Sequence, residues 1–288
     1  STLSGLADKL KGLGVGRPSE DQLLSAIIAF KGLDATRSIS EHYRRDHQIL
    51  SNAVSDALPA LRQVLIFLKT HAEIPHLRLL PRSLPLFVLT RFFGLYPEPN
   101  RRTLDLLVRW TWRTLLGIKS VDERTLLRHS LDAIEGSEPE KTIQKLLGEI
   151  PRTRASRFTM PHRFDARAGE SRIVLVALSS LRKIYSISIE ATHGPSNRIL
   201  LPPALKGIRK DLIDLVAREG PESKVLESHC IDRYAAVLLE RGMVDEFLSW
   251  RSRLIAETVE SFSSRLAAWE KSDRPSIDYI LQQSGGEK

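Results

Sequence analysis

Ser19-Glu20-Asp21-Gln22-Leu23-Leu24-Ser25-Ala26-Ile27-Ile28-Ala29-Phe30 opens with a serine whose hydroxyl is placed to accept from first-turn amides. A glutamine three residues later is able to reach back to the serine's own amide, which completes a capping box. Behind it Leu23, Leu24, Ile27, Ile28 and Phe30 recur at helical spacing. The same pattern returns at Ser38 with Glu41, Ser120 with Glu123, and Ser137 with Glu140. Each precedes an amphipathic run. After Ser120 come Leu126, Leu127, Leu131 and Ile134, with Gly136 as the stop. Four independent start signals predict an all-α chain, an irregular multi-helix bundle.

Working outward, the longest early helix is expected from Ser38 to His71, with Pro59 inside it. Proline removes one backbone hydrogen bond and clashes with the preceding turn, so a kink or break is expected near Leu58. Residues 75–113 hold many of the aromatics and read as a helical hairpin folded at Tyr96-Pro97-Glu98-Pro99-Asn100. Phe92, Phe93 and Trp112 are assigned to its core, and Trp110 is left open. Residues 151–165 break the helical period with two prolines and four arginines, and are read as a connector. Residues 1–150 and 166–288 then form two helical subdomains or one continuous domain. Ile173 to Leu178 are apolar nearly all round, as in a helix at the centre of a bundle. Ile184 to Ile189 alternates, but a lone strand has no partner in such a chain and is read as irregular or a short hairpin. Helices are expected from Pro202 to Arg218 and from Met243 to Lys271, and Asp273-Arg274-Pro275 separates the latter from a short terminal helix.

The 288 residues suffice to bury roughly 75% of the unfolded surface, so no disulfide or metal is needed to hold a core. One cysteine, Cys230, excludes an internal disulfide framework and a Cys-rich zinc site, and suits a reducing cytosol. Ser1-Thr2-Leu3-Ser4-Gly5 lacks the basic start of a secretory signal, and no apolar run approaches the ~20 residues that span a bilayer. A net charge of +8 with an isoelectric point near 9.7 favours polyanionic partners.

Catalytic templates mostly fail. Gly12-Leu13-Gly14-Val15-Gly16 lacks the preceding strand and the spacing of a dinucleotide loop, and is read as a turn. His42 and His47 are five residues apart and share no helix face, so no metal pair forms. Ser228-His229-Cys230 are consecutive, point in different directions, and are assigned structural roles. Asp165 and Glu170 lie among Arg163, Arg167 and Arg172 and are read as an ion-pair network at a helix start. Arg101, Arg102, Arg109 and Arg113 interleave with Trp110 and Trp112. That composition fits a surface gripping phosphates, and it fits equally a core helix whose arginines lie over buried tryptophans. Arg152, Arg154, Arg157 and Arg163 of the connector are the second phosphate-binding candidates.

Several pieces, in order along most of the chain, carry a resemblance. They are Arg17–Asp34, Leu79–Phe93, Phe164–Arg172, Asn197-Arg198, Ser228-His229, Phe247–Arg251, Ala268-Trp269 and Asp273–Pro275. Together they resemble the helical region of prokaryotic GmrSD-type proteins, a domain-of-unknown-function family whose N-terminal part resembles ParB-like nucleases. Such proteins are similar to modification-dependent restriction and anti-phage factors. Their N-terminal domain carries an Asp-Gly-Gln-Gln-Arg motif and hydrolyses nucleotide, and some relatives end in a His-Asn-His nuclease. This sequence has neither motif. The resemblance therefore implies the C-terminal helical part of a longer polypeptide, with no catalytic residue carried over. It marks Asp165, Arg167, Glu170, Asn197, Arg198, Ser228 and His229 without giving them a role.

The expectation is a non-catalytic scaffold coupled to an N-terminal ParB-like nuclease/NTPase domain in the same or a separate chain. It is expected to add DNA phosphate contacts through the arginines named above, with no cofactor, metal or membrane partner. Two alternatives stand: a homo-oligomerisation or protein-interaction domain without nucleic acid, and an enzyme with a site around Asp165, Glu170 and His229.

Overall fold

The computed structural model describes residues 2–117, 122–136, 138–150, 158–161, 164–185, 209–220 and 223–275. These residues hold thirteen α-helices and no strand. The first group is α1 (Leu3–Lys11), α2 (Glu20–Phe30), α3 (Ile39–Asp56), α4 (Leu58–Thr70) and α5 (Leu84–Leu95). A middle group follows: α6 (Arg101–Gly117), α7 (Glu123–Asp132), α8 (Pro139–Gly148) and α9 (Gly169–Tyr185). Then come α10 (Arg209–Glu219), α11 (Lys224–Ser228), α12 (Arg233–Glu240) and the long α13 (Val244–Ala267).

Local chemistry sets the element ends. Ser19 and Gln22 form the full capping box at α2, with both bonds at 3.1 Å. Ser38 caps α3 through the Glu41 amide. At α7 the cap is Asp122, whose carboxylate accepts from the Thr125 amide at 2.8 Å. The expected cap, Ser120, lies outside the described residues. At α8 the cap position is Glu138, without a side-chain bond, and Pro139 opens the helix where no amide is needed; Ser137 too lies outside the described residues. The break expected near Leu58 occurs at Ala57, which ends α3 and starts α4, with Pro59 in the first turn.

One apolar interior runs from Leu6 of α1 through Phe92, Trp110 and Trp112 to Ile173–Leu178 of α9 and Ile255–Ala267 of α13. It draws on both sides of the 151–165 stretch. Burying α9 on nearly all faces is the physical reason: it lies between α13, α11 and the short 3-10 turn at Leu77–Leu79. A smaller cluster, including Leu212, Leu226, Ile231, Ala235 and Phe247, unites α10, α11, α12 and the start of α13.

The 75–113 stretch corrects one expectation. The turn at 96–100 joins two helices, but their principal partners lie elsewhere. α5 packs on α2 and α4, whereas α6 packs on α8 and α13. Phe92, Phe93 and Trp112 are buried as expected, and Trp110 joins them. Of the other sequence readings, residues 186–189 and Pro202-Pro203 lie outside the described residues.

The Gly12–Gly16 segment is a turn between α1 and α2, with φ of +68° at Gly14 and +88° at Gly16. A Cβ at Gly16 would collide with the His76 ring, so the position needs glycine for space as well as for φ. His76 caps the 3-10 turn, its Nδ1 accepting from the Arg78 amide at 3.0 Å. Burial, aided by the Arg78 charge, holds its pKa below the ordinary 6.5. The unfolded chain thus takes up this proton before the folded one does. The stabilisation is complete above pH 6.5 and is lost as pH falls through the folded value. The urea midpoint of wild type is therefore expected to fall more steeply than that of His76→Asn as pH drops below ~6.5, because only wild type carries this acid loss.

Candidate functional site

The arginines of α6 were the first candidate. Asn100 starts the helix, its Oδ1 accepting from the Thr103 amide at 2.8 Å. From there Arg102, Arg109 and Arg113 fall along one side of the helix, seven and four residues apart. That side faces α8 and the strap that follows α13, not solvent. Arg102 Nε donates to Glu140 Oε1 at 2.8 Å, and its Nη2 to the Asp273 carbonyl at 3.1 Å. Arg109 Nη1 donates to the Ser272 carbonyl at 2.9 Å and to Asp273 Oδ1 at 3.1 Å. Arg113 lies deepest, with 1% of its side chain exposed against 9% for Asp273. It donates to Asp273 Oδ2, to the Ala267 carbonyl at 2.8 Å and to the Ala268 carbonyl at 2.8 Å.

This is a helix-end clamp. The last carbonyls of α13 have no intrahelical amide, and the planar guanidinium fork supplies donors and positive charge where the helix dipole is negative. Ala268 adopts a left-handed cap with φ +43°, a conformation that costs a non-glycine residue roughly 1–2 kcal/mol. The Arg113 bonds on either side of that peptide offset the cost, and the Trp269 ring lies 5.0 Å from the guanidinium. Three of the four arginines proposed for phosphate contact are therefore committed inside the fold. Only Arg101 of the set is exposed. Arg152, Arg154, Arg157 and Arg163 lie outside the described residues.

The family-marker residues separate. Asp165 shapes the turn into α9: its amide donates to Ser171 Oγ at 3.0 Å and its Oδ1 accepts from the Arg167 amide at 2.8 Å. Arg172, expected in an ion-pair network, donates instead to the carbonyls of Ala166 at 2.9 Å and Leu80 at 3.1 Å. Glu170 sits in the first turn of α9, where a carboxylate suits the dipole. Asn197 and Arg198 lie outside the described residues.

Ser228 and His229 come closer than consecutive residues were expected to, with Ser228 Oγ 3.1 Å from His229 Nδ1. The pair is still no nucleophile and base. His229 Nδ1 is 2.8 Å from the Val225 carbonyl, which can only accept, so Nδ1 carries the proton. Ser228 Oγ also gives its hydrogen to Val225, at 2.7 Å. Nδ1 therefore has no lone pair for the serine proton, and Ser228 is fully buried. The His229 carbonyl accepts from Arg251 Nε at 2.9 Å. Arg251 is itself buried, which brings its pKa down to about 10 and leaves it a cation at neutral pH. Burial pushes the Cys230 thiol above its ordinary 9.0, so it is a thiol and not a thiolate.

Beside this turn lies a feature that sequence reading missed. A cleft of about 630 Å³ opens between α9, the α11–α12 turn and α13. Its size falls in the range of ligand and peptide sites, roughly 300–1,000 Å³. Leu181, Cys230, Ile231, Leu254 and Phe262 give it an apolar lining, and Glu227, Asp232, Glu257 and Arg265 supply the charges. Asp232 is fixed: it caps α12 through the Ala235 amide at 2.7 Å and accepts from Trp250 Nε1 at 3.0 Å. Trp250 in turn meets the exposed Tyr234 edge-on at 4.7 Å and lies under the Arg253 guanidinium at 3.9 Å. The one signal for the cleft in the sequence was Asp232, an N-cap residue directly before an apolar helical run. None of Asp165, Glu170 and His229 lines it.

A second cleft of about 590 Å³ lies between residues 35–37 and the starts of α5 and α7. Two of its charges pair locally, Glu123 with Arg82 at 3.0 Å and Arg37 with Asp34 at 3.1 Å. Among the described residues no three His, Cys, Asp or Glu side chains are grouped to hold a metal, and no helix is long and apolar enough to cross a membrane. Compared with protein-family models, curated proteins and solved structures, the chain matches none.

Proposed function

We propose that the chain is a non-catalytic helical interaction module that couples to a nuclease/NTPase domain of the GmrSD type, in restriction or anti-phage defence. The observation that carries the module reading is the clamp of α6 on the end of α13. It turns the basic face of α6 into internal structure and fixes α6, α8, α9 and α13 as one platform beside an open cleft. The family context rests on the ordered resemblance of residues 17–275. DNA contact through α6 loses most of its carriers, which favours protein over nucleic acid as the main partner.

The test is a mixing experiment with a GmrSD-type N-terminal domain that carries the Asp-Gly-Gln-Gln-Arg motif. The module reading expects a co-migrating complex that survives high salt; free components at all salt concentrations remove it. Duplex DNA supplies the second arm. Arg101→Ala is expected to leave DNA affinity within about twofold and its salt slope unchanged, because the arginines that would complete a phosphate-gripping face are committed inside the fold. A drop in the salt slope of about one unit would restore the phosphate-contact reading at α6.

A further inference from the structure

We propose that the cleft between α9, the α11–α12 turn and α13 is a docking groove for a basic peptide segment of a protein partner. The proposal rests on the reading of the chain as an interaction module and names the chemistry of what it takes. The argument is charge complementarity over an apolar floor. The whole chain carries +8, yet the groove is lined by three carboxylates and one cation. That cation, Arg265, is already matched: its Nη1 and Nη2 lie 2.7 and 3.2 Å from the two Glu73 oxygens. Asp232 is held by an amide and an indole and contributes a fixed negative field.

Glu257 faces Arg253 at 3.6 Å with both side chains more than half exposed, a contact that water weakens. Glu227 makes no ion pair or side-chain hydrogen bond among the described residues. Two carboxylates are thus available at the rim, above Leu181, Ile231, Leu254 and Phe262. This pairing suits arginine or lysine side chains, whose stems lie on apolar surface while their heads reach acids. The rim carboxylates favour a basic peptide over a phosphate group as the occupant.

The test uses the full chain and a fluorescein-labelled peptide alternating Arg and Leu, with a Glu/Leu peptide of the same length as counterpart. Anisotropy is expected to show binding of the basic peptide only. The double variant Glu227→Lys/Glu257→Lys should weaken it by about tenfold or more, since both rim charges change sign. Glu138→Lys, on the exposed start of α8, should change it less than about twofold. Amide hydrogen exchange across the groove-lining part of α13, from Leu254 to Phe262, supplies a second readout. Bound basic peptide is expected to slow that exchange.

Equal binding to the groove and control variants, or exchange at Leu254 to Phe262 unaffected by saturating peptide, overturns the proposal. Slowing of that exchange by rising protein concentration without peptide also overturns it, because the groove then belongs to a second copy. A chain that captures the nuclease/NTPase domain while failing these peptide tests keeps the module reading and loses the groove alone.

Discussion

Arg113→Met is expected to destabilise the chain by about 3–5 kcal/mol, the range for removing one partner of a buried ion pair. The side chain is 1% exposed and holds Asp273 together with the two terminal carbonyls of α13. Its loss leaves the Asp273 carboxylate to Arg109 and takes the donor from two buried carbonyls in one step. Typical domains have a total stability of about 5–15 kcal/mol, so the variant should shift the urea midpoint far down or fail to fold at 37 °C. Asp273→Asn, which keeps the shape and some hydrogen bonding, should cost less. The double variant separates charge from capping. If pairing with Asp273 were the whole role of Arg113, the two changes together would cost little more than Arg113→Met alone. Fully additive losses would show that the carbonyl bonds carry the site.

Trp112→Ala is the second large effect, expected at about 3–5 kcal/mol for a fully buried aromatic truncated to a methyl group. Trp112 has no exposed surface. It meets the Phe262 ring edge-on at 5.0 Å, and its Nε1 donates to the Ala72 carbonyl at 2.9 Å. One side chain of α6 thereby ties the end of α4 to α13. Trp112→Phe separates the two contributions, because it retains a ring for Phe262 and orphans the Ala72 carbonyl. It should cost about 1–3 kcal/mol, the price of an unmet buried acceptor plus a small void. Thermal or urea unfolding of the two variants measures the split.

Much of the fold was legible because its signals are local. The Ser19 box, the Pro59 break and the apolar run of Ile173–Leu178 each act within a few residues, and each appears in the structure where the sequence placed it. The α7 cap shows how a local reading slips. Ser120 and Asp122 both suit a cap, and the carboxylate at Asp122 takes the Thr125 amide. The site was legible only in part, for a different reason. Spacing put Arg109 and Arg113 on one face, but the acid that claims both is Asp273, and no local pattern connects residues so far apart. The cleft likewise draws on α9, the α11–α12 turn and α13, which only the fold brings together.

The α6 clamp also sets a schedule for the newborn chain. Asp273 follows Arg113 by 160 residues. At a synthesis rate of about 5–20 residues per second, the arginines wait roughly 8–30 s for their carboxylate. During that interval α6 can be made and its tryptophans can find early neighbours, but its basic side stands open on the ribosome, itself a polyanion. Closure by the strap is then the step that retires this face from the reach of RNA, and the last helix is made fast only when Asp273 has emerged.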